Sequence, residues 1–323
     1  MKAIQIDRYG GPEVLEVKDL LLAPPGPGEV RVRNRAIGVN FIDIYHRTGA
    51  YPVAGLPFTP GKEGAGEVVA LGPGVSGFAP GDRVAYVEAP GAYAEEHNVP
   101  AQVLLRLPDT IDYQTAAAMM LKGLTAQYLL RRTYRVEPGQ TVLVHAAAGG
   151  VGLILAQWAK HLGATVIGTV GSPDKVATAR ANGCDHVVLY REEPFPARVM
   201  DLTRGQGCHV VYDGIGQATF PGSLDCLRPF GSFVSFGSAS GPIAPFDIAL
   251  LAAKGSLFAT FPLLPTHIAD RDTYLGMARE LFGAVEAGAV EITVHDRLAL
   301  SEAAEAHRRM EARETMGATI LLP

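Results

Sequence analysis

The stretch Thr141-Val142-Leu143-Val144-His145-Ala146-Ala147-Ala148-Gly149-Gly150-Val151-Gly152 decides the fold. An apolar strand runs into a loop of small residues, and an apolar helical stretch over 151–162 follows. Set on the dinucleotide fingerprint G-x-G-x-x-G, Ala147 stands where the first glycine is usual, while Gly149 and Gly152 hold the other two positions. The chemistry needs this pattern. The backbone must turn tightly, approach a pyrophosphate closely, and aim N–H groups and a helix N-terminus at its charge. Glycines in a strand-to-helix turn are common without any ligand. Here the preceding strand, the following helix and the next strand at 165–170 complete the βαβ context that gives the motif its meaning. Ala148, Gly149, Gly150, Val151 and Gly152 are the candidate phosphate-binding residues.

Working outward, strands are expected at 141–145, 165–170, 186–190, 209–213, 232–236 and 256–260, with helical stretches such as 151–162 and 175–181 separating the first three. Strands alternating with helices imply a parallel, doubly wound α/β sheet. The first 120 residues read differently. Short β-like runs, such as 30–39 and 66–71, lie between Gly/Pro clusters such as Pro24-Pro25-Gly26-Pro27-Gly28, as in a β barrel or sandwich. After Pro265 come a long helical stretch (271–288), a short β run and a last strand at 318–322, which is expected to return to the N-terminal domain.

Bulk properties agree with two folded domains. The 323 residues exceed what one core usually supports, and 48% hydrophobic with 19% charged residues is ordinary for a globular chain. A net charge of −5 argues against a basic nucleic-acid face, and no apolar run approaches a bilayer span. Three scattered cysteines, Cys184, Cys208 and Cys226, suit a reducing cytoplasm.

The nicotinamide type is read at the tip of the second strand. An NAD site usually places an acidic residue about 20 residues beyond the loop. This chain has Thr169-Val170-Gly171-Ser172-Pro173-Asp174-Lys175, a small hydrogen-bonding turn followed by a lysine suited to a 2′-phosphate. Asp174 is the contrary sign, but it falls in a helix's first turn, where acids are expected. NADPH is favoured.

Gly139-Gln140, Leu143, Ala147-Ala148-Gly149-Gly150, Gly152, Gln157 and Lys160 together resemble the signature of the quinone oxidoreductase and zeta-crystallin family, zinc-free members of the medium-chain dehydrogenase/reductase superfamily. Pro25-Gly26-Pro27-Gly28-Glu29-Val30, Gly38-Val39-Asn40-Phe41-Ile42-Asp43, Leu121-Lys122-Gly123-Leu124-Thr125-Ala126 and Val234-Ser235-Phe236-Gly237 extend the resemblance over nearly the whole chain. It is similar above all to bacterial NADPH:quinone reductases. The resemblance implies a GroES-like catalytic domain over 1–122, a Rossmann domain over 123–264, a C-terminal segment over 265–323 returning to the first domain, a cleft between the domains, and a homodimer.

Zinc-dependent relatives carry Gly-His-Glu-x-x-Gly, with the histidine as ligand. This chain has Gly61-Lys62-Glu63-Gly64-Ala65-Gly66, and Asn40 replaces the relatives' cysteine ligand. No cysteine precedes Cys184, so the four-cysteine structural lobe is missing as well. An ammonium and an amide are not zinc ligands of the usual kind, and neither catalytic nor structural zinc is expected. Without a Lewis acid to form an alkoxide, delivery of hydride to an electron-poor acceptor is the more reasonable chemistry.

By resemblance, Asn40, Tyr45 and Tyr51 line the acceptor site, with Asp43 orienting their loop. Thr125 approaches the nicotinamide ribose or phosphate, and Phe236 and Gly237 approach the nicotinamide. Gly171, Ser172, Lys175 and Tyr190, joined by Arg313 from the C-terminal segment, hold the adenosine end. Two departures stand out: Phe261, where close bacterial relatives tend to have Arg, and Lys62 itself. His145 reads as a packed, neutral histidine, and no nucleophile elbow is present. The reading is NADPH-dependent reduction of quinones. The alternatives are reduction of activated C=C bonds in alkenals, enones or enoyl thioesters, and a non-catalytic nucleotide- or RNA-binding protein.

Overall fold

The computed structural model describes all 323 residues, which form two compact units: Met1–Lys122 with Ile292–Pro323, and Gly123–Glu291. Within the first unit, β1 (Lys2–Gln5) pairs β2 (Glu16–Asp19), and β3 (Glu29–Val39), β4 (Glu63–Leu71), β5 (Arg83–Val87), β6 (Glu96–Pro100) and β7 (Leu104–Arg106) follow. The long strand β3 buries alternate residues over its first half and every residue from Ala36 to Val39, so it runs from sheet surface into core. Helix α1 (Phe41–Thr48) begins directly after it, at extended Asn40, and ends at Gly49, whose φ of 79° is the left-handed stop that glycine accommodates. Helix α2 (Tyr113–Tyr128) carries the chain across the boundary between units.

The second unit winds through β8 (Thr141–Val144), α3 (Gly150–His161), β9 (Thr165–Val170), α4 (Asp174–Ala181), β10 (His186–Leu189), α5 (Phe195–Leu202), β11 (Cys208–Asp213), α6 (Gly222–Asp225), β12 (Leu227–Ser235), α7 (Ala249–Ala253), β13 (Phe258–Thr260), α8 (Leu264–His267) and α9 (Arg271–Glu286). Its six strands pair in parallel in the order β10-β9-β8-β11-β12-β13. Counted within the sheet this is 3-2-1-4-5-6, the doubly wound order whose ligand crevice lies at the carboxyl ends of the first and fourth strands. Those strands are β8 and β11. Leu143, Ile167, Val188, Val211 and Phe233 belong to one buried cluster of this unit.

The chain then returns through β14 (Val294–Ala299), α10 (Ala303–Glu311) and β15 (Ala318–Leu322). Strand β15 pairs antiparallel with β3 and parallel with β14, completing a seven-stranded sheet in the order β14-β15-β3-β4-β5-β7, with β6 also on β3.

Several expected boundaries move, β12 among them, which starts at Leu227 rather than at 232. The return begins at Ile292 rather than at 265, because α9 buries Tyr274, Met277, Leu281 and Phe282 and groups with the second unit. The last parallel strand starts at Phe258 rather than at 256, since Gly255 and Ser256 both take positive φ and turn the chain first.

Candidate active site

The glycine loop has the geometry that its sequence requires. Ala146 adopts φ 51°, and Gly149 N–H donates back to the Ala146 carbonyl at 2.8 Å, closing the turn. A Cβ on Gly152 would lie 2.2 Å from Ala146 O and 2.9 Å from Ala147 Cα, so only glycine lets α3 start against its own loop. Ala147, the departure from the fingerprint, is accommodated elsewhere. A Cβ on Gly168 of β9 would lie 2.7 Å from the Ala147 methyl, so Gly168 supplies the space that the usual first glycine would give. Gly149 caps α3 without any side-chain hydrogen bond, which leaves the first N–H groups of Gly150, Val151 and Gly152 for a ligand. This cradle fits a pyrophosphate.

Beneath the loop, the ends of three strands are tied by buried polar groups. His145 lies 2.8 Å (Nδ1) from Thr169 Oγ1 and 3.0 Å (Nε2) from Ser223 Oγ, and Ser223 donates to Asp213 Oδ2 at 2.8 Å. Because the serine proton goes to the carboxylate, His145 Nε2–H donates to Ser223 and Nδ1 accepts from Thr169. Burial depresses the imidazole pKa, so His145 is the packed neutral histidine expected from its position. Asp213 also accepts from Ile215 N–H, Gly216 N–H and Thr219 Oγ1 at 2.7–3.0 Å, which fixes the loop after β11. That loop meets the end of β12. Phe236 N–H donates to Asp213 O at 2.9 Å, and a Cβ on Gly237 would lie 2.9 Å from Gly214 O.

At the tip of β9, a Cβ on Gly171 would sit 3.4 Å from the Tyr190 ring and 3.6 Å from Arg191 Nε. The Arg191 guanidinium lies 5.9 Å over the Tyr190 ring. Gly171 and Tyr190 are therefore brought together as named from the sequence, and Arg191 joins them unannounced. Its signal was only its place next to Tyr190. Ser172 O accepts from Lys175 N–H at 3.2 Å in the first turn of α4. Thr125 is buried on α2, and Arg313 sits with φ 61° after α10 in the first unit.

In the first unit, Asn40 belongs to a buried ionic cluster. Its Nδ2 donates to Glu63 Oε1 at 2.6 Å, and its Oδ1 accepts from Lys122 Nζ at 2.8 Å. Lys122 also donates to Glu63 Oε1 at 3.0 Å, and Leu121 N–H to Glu63 Oε2 at 2.5 Å. Lys122 is 6% exposed and Glu63 is fully buried. A Cβ on Gly38 would come within 2.2 Å of Glu63 Oε1, so this glycine makes room for the carboxylate. An interior ion pair costs several kcal/mol of desolvation per ion, and leaving one member alone costs about 3–5 kcal/mol. Here three donors on Glu63 and two acceptors for Lys122 offset that cost.

Tyr45 and Tyr51 stack obliquely with ring centroids 5.1 Å apart, and Tyr51 N–H donates to Tyr45 O at 3.1 Å. Tyr51 is 41% exposed, so its phenol is accessible in this unit. Asp43 accepts the Asn40 backbone N–H at 2.8 Å and the Tyr93 hydroxyl at 3.1 Å, both on Oδ2, while Oδ1 is buried without a partner. Burial pushes the Asp43 carboxyl up to about 7. Tyr93 is 3.0 Å from His307 Nε2, and Arg47 reaches His307 Nδ1 at 3.3 Å. Arginine only donates, so His307 carries its proton on Nε2 and donates it in a hydrogen bond to the Tyr93 oxygen. Burial lowers His307 to about 3.

Lys62 is partnered with Glu88, both about one-sixth exposed, and does not bond Asn40. The cation beside Asn40 is Lys122, quoted in the sequence motif but given no role there. No cluster of three or more His, Cys, Asp or Glu side chains is gathered as a metal centre would need.

A mainly antiparallel β unit joined to a parallel sheet in dinucleotide-binding order, with an uncapped glycine cradle, defines a nicotinamide-dependent dehydrogenase or reductase. Residues 26–109 match the alcohol dehydrogenase GroES-like domain, and residues 150–265 match the zinc-binding dehydrogenase family. The quinone oxidoreductase of Pseudomonas aeruginosa is 53% identical over 323 residues, covering 100% of this chain and 99% of that protein. A 2-haloacrylate reductase of a Burkholderia species is 45% identical over 328 residues, covering 99% and 98%. The crystal structure of Escherichia coli quinone oxidoreductase complexed with NADPH superposes with a TM-score of 0.98 at 43% identity, covering 100% of both chains. The chain belongs to the quinone oxidoreductase family of the medium-chain dehydrogenase/reductase superfamily. The matched family's name speaks of zinc, but this chain offers an amide and an ammonium at the two ligand positions, Asn40 and Lys62.

Proposed function

We propose that this protein is a zinc-independent NADPH:quinone reductase. The observation that carries the reading is the glycine cradle at 146–152 within a full-length match to quinone oxidoreductases, one of them seen with NADPH. Bound NADPH supplies the two reducing equivalents; the residues of the chain hold, orient and polarise. Gly150, Val151 and Gly152 offer N–H groups to the pyrophosphate, with Ala148 and Gly149 shaping the turn. Gly171, Ser172, Lys175, Tyr190 and Arg313 receive the adenosine 2′-phosphate end, where lysine and guanidinium meet a dianion. Thr125, Phe236 and Gly237 receive the nicotinamide end.

Asn40, Tyr45 and Tyr51 position the acceptor. A quinone gains negative charge on oxygen as it is reduced, and N–H or phenolic O–H donors stabilise that charge more than they stabilise the neutral ground state. Asn40 keeps one Nδ2–H beyond the one given to Glu63, and the exposed Tyr51 hydroxyl is a second donor. The protein works in the cytoplasm, as its buried, unpaired thiols suit a reducing compartment. It acts as a homodimer formed through β13. That edge strand is exposed along its length, and Phe258, Phe261 and Leu263 leave apolar surface on it or just after it in the chain, as a strand-pairing interface would.

The 2-haloacrylate reductase relative supports a second reading, reduction of an activated C=C bond. A panel of quinones, 2-haloacrylates, enones and alkenals, scored as kcat/KM with NADPH, separates the two. Quinones are expected to lead; a haloacrylate or enone preferred by about tenfold or more would install the second reading.

A further inference from the structure

We propose that Lys122 is a positioning residue for the reaction. Its ammonium fixes the Asn40 amide in the one orientation that turns an N–H donor toward the acceptor oxygen. This rests on the quinone-reductase reading of the same site.

An asparagine side chain can sit two ways round with almost the same shape, one presenting oxygen and the other NH2. The two charges around Asn40 remove that freedom. Lys122 has donors only, so Oδ1 faces Nζ at 2.8 Å; an ionised Glu63 has acceptors only, so Nδ2 faces Oε1 at 2.6 Å. Were the amide reversed, lone pairs would face the carboxylate and N–H groups the ammonium. With the orientation set, the second Nδ2–H is the group left over, and a donor is what a carbonyl turning into an oxyanion needs. The ammonium on Oδ1 also draws electron density through the amide, which strengthens that donor.

Asn40 stands where zinc-dependent relatives place a cysteine ligand, and the side-chain cation that meets it is not Lys62, which is held by Glu88. It is Lys122, with Nζ bonded to both Asn40 and Glu63. A lysine in the otherwise apolar run Met119-Met120-Leu121-Lys122-Gly123-Leu124 is expensive to bury, and Gly38 is kept free of a side chain to make room for its partner.

The test is a cycle of four proteins: wild type, Lys122→Met/Glu63→Gln, Asn40→Ala, and the triple variant. Replacing both charges together leaves neither stranded in the interior. Each protein is assayed for kcat and KM with a quinone that wild type reduces, and for NADPH affinity by cofactor fluorescence. The double variant is expected to lose about 30-fold in kcat while acceptor KM and NADPH affinity stay within about threefold. In the Asn40→Ala background the same double replacement is expected to change kcat by less than about threefold, since its effect runs through the amide. An unchanged kcat in the double variant overturns the proposal. So does an equal loss in the Asn40→Ala background, or a loss confined to NADPH affinity or acceptor KM. If the double variant does not fold, Lys122→Leu/Glu63→Gln, which likewise strands no charge, enters the same cycle under the same criteria. Failure of wild type to reduce any quinone would instead remove the functional reading, and this proposal with it.

Discussion

Tyr93 donates its phenolic proton to Asp43 across 3.1 Å, in a buried chain that begins at Arg47 and passes through His307. The chain joins helix α1, which carries Tyr45, to helix α10. It also makes stability pH-dependent in two opposed ways. Asp43, raised to about 7 by burial, keeps a proton in the folded protein that an unfolded carboxyl has released above about pH 4. The folded state therefore binds more protons through that window, and the Asp43 contribution falls as pH rises toward 7. His307, lowered to about 3, acts the other way. The unfolded imidazole gains a proton below about pH 6.5 and the folded one does not, so stability is lost as pH falls. Asp43→Asn removes only the first effect. In urea unfolding at about pH 5 and about pH 8, the variant is expected to gain on wild type at the higher pH. Parallel profiles would show that Asp43 is ionised throughout.

Lys175 is proposed to meet the 2′-phosphate. Lys175→Ala is expected to weaken NADPH binding by about tenfold and NADH binding little, because only NADPH carries the dianion. Titration of both cofactors by fluorescence decides this, and an unchanged ratio removes Lys175 from the phosphate site.

Gly152→Ala places a methyl 2.2 Å from the Ala146 carbonyl oxygen, a backbone atom that cannot swing aside. Loop or helix must move, at a cost of about 2 kcal/mol, and the N–H groups aimed at the pyrophosphate move with it. Denaturant midpoint and NADPH affinity should fall together. Intact affinity would mean that the helix start does not bind the phosphates.

How much of this could be read from residues alone depends on how local the cause is. The βαβ unit is written in consecutive residues, and β8, α3 and β9 follow the pattern of Thr141 onward closely. The tolerance of Ala147 in a glycine position is not, because Gly168 supplies the space from the neighbouring strand. The neutral state of His145 follows from its place at a strand end, whereas the Asp213–Ser223–Thr169 chain that fixes its tautomer is assembled from the ends of β11 and β9 and from helix α6. Lys62 drew notice by its motif position, but its charge is taken up by Glu88, 26 residues away. Lys122 is one residue of a family-like motif, and its contacts arise only when β3, β4 and α2 bring Asn40, Glu63 and Lys122 together.

The homodimer is testable at β13. Phe258, 62% exposed on that edge strand, replaced by Lys puts a charge where two strands would pair. Sedimentation is expected to show wild type as a dimer and Phe258→Lys as a monomer with NADPH affinity retained. A wild-type monomer, or a dimer indifferent to this change, would place assembly elsewhere or nowhere.

Reduction of quinones with NADPH and without a metal is the proposed activity of this chain. Its most direct test is quinone-dependent loss of reduced-nicotinamide absorbance, measured before and after exhaustive chelation. Turnover with NADPH, several-fold slower with NADH at limiting cofactor and unchanged by chelation, is the expected result. Abolition of activity by the chelator with recovery on adding zinc, or no quinone reduction despite NADPH binding, would contradict it.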